Sequence, residues 1–304
     1  MKMFCNPSRR IALAALLCCA ATAGAAPLYQ VVPVAPAANP QIQWIQATRI
    51  NDSGVLVGAA GWTTHGGADS YVYPVRWAAA GAAAQVDLAH QGYVPRAINA
   101  AGAILASTNG NPGADQTLTA IWFDGHLGSS WPIDTLQGND INDSFVATGG
   151  ESWYDPERGV GVHTAVVFDR ARHVTPLPTL GGIRADGYAI NAAGDVAGRS
   201  TIAGEAEAHA FLYRAGTTID LQAGVDSVAW GINSHGLVVG HLRSGADWQV
   251  FTWRDGVLAR VGLAFGAPAG PVLVNDAGTI AWSGMTSGGG AFVLAGGAVH
   301  DINR

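Results

Sequence analysis

One short pattern of apolar and polar positions recurs along this chain. An apolar residue precedes an asparagine, two residues and usually a glycine follow, and a second apolar run then begins, as in INSHGLVVG at 232–240. The pattern occurs six times, and successive asparagines are 42 to 49 residues apart. The six asparagines are Asn51, Asn99, Asn142, Asn191, Asn233 and Asn275. Self-similarity at such a period indicates a repeat architecture.

Each copy of the pattern predicts a β-hairpin with a tight turn. An asparagine side chain can hydrogen-bond the backbone of its own turn, and a glycine three residues later can take a positive φ without steric cost. Five copies keep that glycine, whereas the third has Phe145 in its place. We therefore expect the third turn to differ from the other five.

A second pair of strands follows each hairpin, as in AHAFLYRAGTTIDL at 208–221. No segment has the period of an amphipathic helix, and the apolar runs lack alternation, which is typical of strands buried on both faces. Six repeats of four strands predict an all-β fold, a six-bladed β-propeller of four-stranded antiparallel blades. Trp77, Trp122 and Trp253, near the ends of third strands, are expected to pack between blades. A β-solenoid of the same repeats is the alternative, although it would expose apolar end faces.

The first 25 residues have the composition of a cleavable signal peptide. A basic start precedes a short apolar run, and Ala23-Gly24-Ala25 provides the small residues of a cleavage site. Ser8-Arg9-Arg10 partly matches a twin-arginine signal, but the general secretory route fits better. We expect a secreted, extracellular or periplasmic, protein. Residues 26–43 would be an N-terminal segment whose strand at 28–34 closes the ring, and residues 44–304 a single propeller domain.

Charge and cysteine content narrow the range of partners. The chain has 16 basic and 22 acidic residues, and three of the basic ones lie in the predicted leader, so the remainder carries a formal charge of about −9. Such a surface should repel nucleic acid. No later apolar run reaches the roughly 18 residues of a membrane span. All three cysteines lie in the leader, so we expect no disulfide. We also expect a monomeric protein.

The triplet His209-Ala210-Phe211, with INAAGDVAG before it and IDL after it, resembles the HAF-repeat family of bacterial extracellular proteins. The resemblance covers residues 44–302. It implies an exported repeat protein and no particular chemistry, because the function of the family is uncharacterised. Only the fourth repeat has the complete triplet, so His209 is not expected to be an obligatory site residue.

The connection between the second and third strands of each repeat varies most in length, and variable loops on a fixed scaffold commonly carry function. These connections contain tryptophan and tyrosine among acidic and polar residues, a combination that suits sugar rings. The ligand-binding candidates are Trp62, Tyr71, Glu151, Trp153, Tyr154, Asp155, Arg158 and Trp248. The loop predicted at 150–163 is the best single candidate. The alternative is that the aromatic residues only hold the loops on the scaffold.

Four carboxylates occupy matching places in these connections: Asp69, Asp115, Glu205 and Asp247. Together they could bind Ca²⁺, which prefers several oxygen ligands. Local turn formation explains the same residues, so we expect no metal and no other cofactor.

No motif indicates a zinc site, a P-loop or a serine-hydrolase elbow. Most of the nine histidines, a set that includes His65, His163, His209 and His241, are expected to be exposed loop residues. The sequence thus favours an exported binding module, with an extracellular or envelope glycan as its first candidate ligand and a protein partner as the second. A glycan-cleaving enzyme with acidic rim residues and a structural surface protein are the alternatives, and we do not expect an enzyme.

Overall fold

The computed structural model describes residues 38–63, 70–108, 119–123, 126–131, 136–171, 173–204, 207–224, 226–268, 270–285 and 290–302. The predicted leader and the strand predicted at 28–34 lie outside these residues. Every regular element in the described part of the chain is a β-strand, so it contains no helical segment able to cross a membrane. This confirms the all-β prediction.

The chain divides into two compact units, Met1–Asp134 and Thr135–Arg304. The strands of the first unit are β1 (Trp44–Ile50), β2 (Leu56–Thr63), β3 (Ser70–Trp77), β4 (Gln85–Val86), β5 (Tyr93–Ile98), β6 (Ile104–Thr108), β7 (Thr119–Phe123) and β8 (His126–Trp131). They form two four-stranded antiparallel sheets, in the orders β1-β2-β3-β4 and β5-β6-β7-β8.

The second unit contains the remaining strands. They are β9 (Leu136–Ile141), β10 (Ala147–Asp155), β11 (Val160–Phe168), β12 (Val174–Pro176), β13 (Gly181–Ile190), β14 (Val196–Ile202), β15 (Ala208–Arg214), β16 (Thr217–Asp220), β17 (Ser227–Ile232), β18 (Val238–Ser244), β19 (Asp247–Arg254), β20 (Val257–Phe265), β21 (Ala267–Pro268), β22 (Leu273–Val274), β23 (Ile280–Met285), β24 (Gly290–Ala295) and β25 (Ala298–Asp301).

Strands of this unit pair mainly with their sequence neighbours. Strands β17 to β20 form one sheet, and β23 pairs with β21, β22 and β24 in another that ends at β25. Strands β9 to β12 and β13 to β16 are joined into one eight-stranded sheet, where β11 meets β13 through a single parallel pairing of His163 with Arg184. This junction is the only parallel pairing between named strands in the described part of the chain.

The repeated asparagine organises the turn in each copy of the pattern, as predicted. In the fifth copy the Asn233 side-chain oxygen accepts hydrogen bonds from the backbone N–H groups of His235 and Leu237, at 3.1 and 2.9 Å. The backbone N–H of Gly236 donates to the carbonyl of Asn233, and Gly236 has a φ of 73°. Positive φ at the repeated glycine is therefore confirmed.

The prediction that the third turn differs is wrong. Phe145 takes a φ of 61°, and the turn keeps the hydrogen bonds of the other copies: Phe145 N–H to the Asn142 carbonyl, and Val146 N–H to the Asn142 side chain. The Arg170 guanidinium lies over the Phe145 ring at 4.6 Å from its centroid. The bonds to Asn142 dictate the turn, and the phenylalanine accepts a conformation that is sterically costly for it.

The asparagines also join consecutive repeats, which the sequence did not reveal. The side-chain N–H₂ of Asn51 donates to the Asn99 carbonyl, and that of Asn142 to the Asn191 carbonyl, each at 3.0 Å. Asn191 donates in turn to the Asn233 carbonyl at 3.3 Å, and Asn233 to the Asn275 carbonyl at 3.0 Å. We call this series the asparagine ladder. Each of its side chains binds its own turn through oxygen and the next repeat through nitrogen.

Apolar packing between consecutive sheets forms the core. In the second unit, Ala197 and Leu212 pack in one cluster with Leu242, Phe251 and Trp253 of the following sheet. The first five residues of β18 are all buried, which confirms strands covered on both faces. Trp253 and Trp77 are buried as predicted, and the side chain of Trp122 lies outside the described residues.

His241 corrects the expectation of exposed histidines. It lies in β18 and is only 1% exposed, and its ring meets the Phe265 ring edge-on at 5.5 Å. Neither ring nitrogen has a hydrogen-bond partner among the described residues. Burial without a partner lowers the pKa of His241 to about 4, because the charged imidazolium would lose its hydration.

We expect each hydrogen bond of the asparagine ladder to contribute more to the free energy of unfolding than an ordinary surface hydrogen bond does. Asn233→Asp keeps the oxygen that binds the turn but replaces the donor to the Asn275 carbonyl with a second oxygen. The free energy of unfolding should fall by about 1–3 kcal/mol, since a part-buried hydrogen bond is lost and the Asn275 carbonyl faces a negative charge. Urea denaturation at pH 7 measures this. Asn39→Asp, at a turn outside the repeats, is the control and should change the free energy of unfolding by less than about 0.5 kcal/mol. If Asn233→Asp and Asn39→Asp lowered this free energy equally, the role of the ladder would be contradicted.

Acid should destabilise the fold through His241. Its folded pKa of about 4 lies below the ordinary 6.5, so the unfolded chain binds the extra proton and stability falls as the pH drops from 6.5 towards 4. At full protonation the loss is about 3 kcal/mol. His241→Leu should remove most of the difference in unfolding free energy between pH 7 and pH 4.5, measured by urea titration. His235→Leu, at an exposed turn, should leave that difference intact, and an unchanged difference in His241→Leu would refute the assignment.

Candidate functional site

A cleft of about 470 Å³ lies on β10, β11 and β13 of the second unit. Its lining residues are Ser152, Trp153, Tyr154, Gly161, Val162, His163 and Arg184. We call it the β10–β11–β13 cleft. Trp153 and Tyr154 were predicted ligand-binding residues, and the structure places both in its wall.

The predicted loop at 150–163 is mostly strand. The β10–β11 ladder continues without a break from Ala147 opposite Phe168 to Asp155 opposite Val160, leaving only 156–159 as a turn. Uninterrupted backbone pairing explains the difference, because no residue of the segment prevents the ladder from extending. The candidate side chains therefore stand on a hairpin rather than on an irregular loop.

Strand register puts three polar side chains in one row. Ser152 lies directly opposite His163 in the β10–β11 ladder. His163 is the residue of β11 that pairs with Arg184 of β13. Directly paired residues project to the same face of a sheet. The row therefore carries a hydroxyl, an imidazole and a guanidinium on adjacent strands.

A chain of hydrogen bonds runs along this face. The hydroxyl oxygen of Ser152 lies 2.7 Å from Nδ1 of His163, and Nε2 of His163 lies 2.6 Å from a carboxylate oxygen of Asp186. An ionised carboxylate can only accept, so Nε2 carries the hydrogen and donates it to Asp186. Nδ1 then has a free lone pair, and the Ser152 hydroxyl donates to it.

Tyr188 lies beside the carboxylate of Asp186 and can donate a hydrogen bond to it. Its hydroxyl lies 3.5 Å from the second oxygen of Asp186, and its ring packs on Trp230 with centroids 4.5 Å apart. Burial, followed by the negative charge of Asp186, raises the pKa of Tyr188 to about 12. The phenol therefore stays protonated and can keep donating to the carboxylate.

Gly150 makes room for the imidazole–carboxylate pair. A Cβ atom at this position would overlap Nε2 of His163 and a carboxylate oxygen of Asp186. Any side chain at residue 150 would therefore push this pair apart, and the absence of one is what allows it to form.

Four arginines of this unit form ion pairs, whereas Arg184 forms none with the described residues. Arg158, Arg199, Arg214 and Arg243 each lie within 4 Å of an aspartate oxygen. The Arg184 side chain has no ion pair or hydrogen bond to any residue that the structure describes. Its positive charge is thus available to a group entering the cleft.

The aromatic residues of the cleft are open to solvent. Trp153 is 47% exposed and Tyr154 is 65% exposed, and they are neighbours on β10. Successive residues of a strand project to opposite faces, so Tyr154 shares the face of Ser152 and His163, while Trp153 borders the cleft from the other face.

The other candidates on this hairpin have local roles. The Asp155 carboxylate accepts hydrogen bonds from the backbone N–H groups of Glu157 and Arg158 and also pairs with the Arg158 side chain at 3.6 Å. Asp155 thus organises the turn, and Arg158 is exposed at its tip. Glu151 is half-buried on β10, opposite Thr164.

Trp62 and Tyr71 lie in the first unit and form an aromatic stack. The Trp62 ring is 5.3 Å from the Tyr71 ring and 5.0 Å from that of Tyr73, which is buried. Trp62 is half-buried at the end of β2, so the contacts favour packing over ligand binding.

Trp248 stands on β19, opposite Phe265, with the Arg243 guanidinium 5.9 Å from its ring centroid. It packs against a buried cluster formed by residues of its own sheet and of the following one. Asp247 is the exposed first residue of β19, while Asp69, Asp115 and Glu205 lie outside the described residues. Within the described ranges no three histidine, aspartate or glutamate side chains come close enough together to hold a metal ion.

Ser152, Arg184 and Asp186 were not among the predicted site residues, and His163 was expected to be an ordinary loop residue. The serine and histidine are 11 residues apart and the aspartate is 23 residues beyond the histidine, so no short motif joins them. The register of the β10–β11 hairpin is the signal that would have found the first pair.

The structure is similar to known β-propellers. It matches the β-propeller domain of the Trilobed protease from Pyrococcus furiosus with a TM-score of 0.57 and 11% identity, over 86% of this chain and 84% of that one. TolB from Acinetobacter baumannii matches with a TM-score of 0.55 and 11% identity, over 81% and 62% of the two chains. An acylaminoacyl peptidase from Pyrococcus horikoshii matches with a TM-score of 0.59 and 9% identity, over 86% of this chain and 46% of the peptidase.

This chain therefore spans less than two thirds of TolB and of the peptidase. No protein-family model matches the chain, and no curated protein is similar to it in sequence. At these identities the likeness shows the fold alone. The chain has a β-propeller fold.

Proposed function

We propose that this protein is an exported, six-bladed β-propeller that works as a binding module, and that its β10–β11–β13 cleft binds an extracellular or envelope glycan. The observation that carries the proposal is the pair of exposed aromatic side chains, Trp153 and Tyr154, in the wall of a cleft that also holds hydrogen-bonding groups. Sugar rings present apolar C–H faces to such rings and hydroxyls to polar neighbours.

The polar part of the cleft suits the same ligand class. Ser152 and His163 present a hydroxyl and an imidazole that are already oriented by their hydrogen bonds to each other and to Asp186. Groups held in place before binding lose little conformational freedom when a ligand arrives. Arg184, which has no side-chain partner among the described residues, adds a donor that favours a sugar with an acidic substituent.

Six blades of four strands are part of the proposal. Six asparagine turns each begin a run of short strands, and the sheets β1 to β4, β5 to β8 and β17 to β20 have four strands each. The joined sheet of β9 to β16 divides naturally at the single pairing of His163 with Arg184. The HAF-repeat resemblance and the predicted leader support an exported repeat protein, sent through the general secretory route.

Two other functions have weaker support. Glycosidic cleavage would need two carboxylates free to act on one bond, but Asp155 is engaged in its turn and with Arg158. A protein partner would use the same exposed aromatic residues, and it becomes the next hypothesis if no glycan binds.

The test is a glycan-array screen of the secreted protein, with and without Ca²⁺, followed by titration of each hit. Trp153→Ala should weaken binding at least tenfold, the loss of one stacked ring being worth about 1.4 kcal/mol or more. Its melting temperature should stay within about 2 °C of the parent, because nearly half of the side chain is exposed.

Trp62→Ala is the matched control. It removes the same ring from the stack with Tyr71 and Tyr73, so it should lower the melting temperature and leave glycan affinity unchanged. Binding that survives Trp153→Ala but is lost in Trp62→Ala would place the site in the first unit. If the protein bound no glycan on the array, the glycan proposal would be refuted.

A further inference from the structure

We propose that the β10–β11–β13 cleft also hydrolyses small carboxylic esters, with Ser152 as nucleophile, His163 as general base and Asp186 as the positioning residue. This activity goes beyond glycan binding and does not require it. The supporting geometry is the continuous contact of hydroxyl, imidazole and carboxylate at 2.7 and 2.6 Å, at the edge of a cleft.

The three groups have the relation that nucleophilic catalysis requires. A serine hydroxyl attacks well only when a base removes its proton, and the base works best when a third group fixes its tautomer. Here Asp186 holds the hydrogen of His163 on Nε2, which leaves the Nδ1 lone pair facing the Ser152 hydroxyl. Serine hydrolases more often use the two ring nitrogens the other way round, but either nitrogen of a neutral imidazole can accept the proton.

The reaction balances with water as the only co-reactant. The Ser152 oxygen bonds to the ester carbonyl carbon while its proton moves to Nδ1 of His163. The bond from that carbon to the leaving oxygen then breaks, and the leaving alcohol takes the proton from His163. Water, deprotonated by the same nitrogen, attacks the acyl-serine, releasing the carboxylic acid and restoring the Ser152 hydroxyl.

Arg184 supplies positive charge where the carbonyl oxygen becomes negative. It borders the cleft on the strand beside His163 and has no partner among the described residues. A preplaced cation stabilises a developing oxyanion more than it stabilises the neutral ester. The exposed ring of Tyr154, which lies on the same face of β10 as Ser152, gives the alcohol or acyl portion an apolar surface, so esters of sugar hydroxyls and aryl esters are the substrate class.

No other histidine cluster in the described part of the chain combines an exposed serine with a histidine that also contacts a carboxylate. His209 contacts Asp220 at 2.8 Å, but the Ser200 opposite it is buried and its hydroxyl is used by Leu180 and Thr201. Exposed Ser234 lies 3.2 Å from His235, but the nearby Asp276 carboxylate accepts from the Ser234 backbone N–H and makes no hydrogen bond to the imidazole in the described part of the chain. The combination of exposed serine, histidine and aspartate at a cleft is therefore not a general result of this repeat.

The experiment uses the intact protein and two probes, p-nitrophenyl acetate for turnover and a fluorophosphonate for covalent labelling. We expect ester hydrolysis above the background rate and a mass increase on the peptide that contains Ser152. Ser152→Ala should abolish labelling and lower the rate at least about 100-fold. Ser234→Ala, the matched serine beside a histidine, should change neither.

Asp186→Asn tests the positioning role. It should lower kcat at least tenfold with little change in KM, because the carboxamide no longer fixes the imidazole tautomer. A fall in kcat that merely follows a lower melting temperature would indicate a structural effect and contradict this role.

Labelling elsewhere, or undiminished hydrolysis in Ser152→Ala, would overturn the inference. The glycan titration of the same samples separates it from the proposed function. Glycan binding without hydrolysis refutes only the esterase activity, and hydrolysis without glycan binding refutes only the glycan proposal.

Discussion

The asparagine side chain that donates a hydrogen bond from one repeat to the next is the interaction on which the rest of the structure depends. A single repeat cannot bury its apolar faces by itself, so the repeats must associate. Apolar packing drives that association but is not directional. The ladder bonds, such as those from Asn142 to the Asn191 carbonyl and from Asn191 to the Asn233 carbonyl, fix which turn lies beside which. One side chain thereby sets both a local turn and a long-range contact.

This arrangement leaves the opposite ends of the hairpins free to vary. The β10–β11 hairpin starts at the Asn142 turn and carries its cleft residues at the far end, near the 156–159 turn. Changes there do not disturb the ladder, so aromatic and polar residues can accumulate without loss of fold. Ser152, His163 and Asp186 lie where this variable end meets the neighbouring strand β13, which joins them without any sequence motif.

The sequence predicted those features that depend on local rules. Asparagine followed by glycine encodes its own turn, so the hairpins and the positive φ at Gly236 could be anticipated. Phe145 was mispredicted because its conformational preference is weaker than the bonds to Asn142. Trp153 and Tyr154 could be identified as candidates from composition. The burial of His241 could not, because it depends on how far β18 and the neighbouring core extend.

Native-state hydrogen exchange at the turn amides tests the central role of the ladder most directly. The N–H groups of Val146, Asp195 and Leu237 each donate to a ladder asparagine oxygen. If the ladder is a core element, these amides should be protected as strongly as strand amides such as that of Phe251, and open only with the surrounding fold. Exchange as rapid as that of the exposed turn at Gly297 would show that the asparagine turns open independently, and would contradict the account.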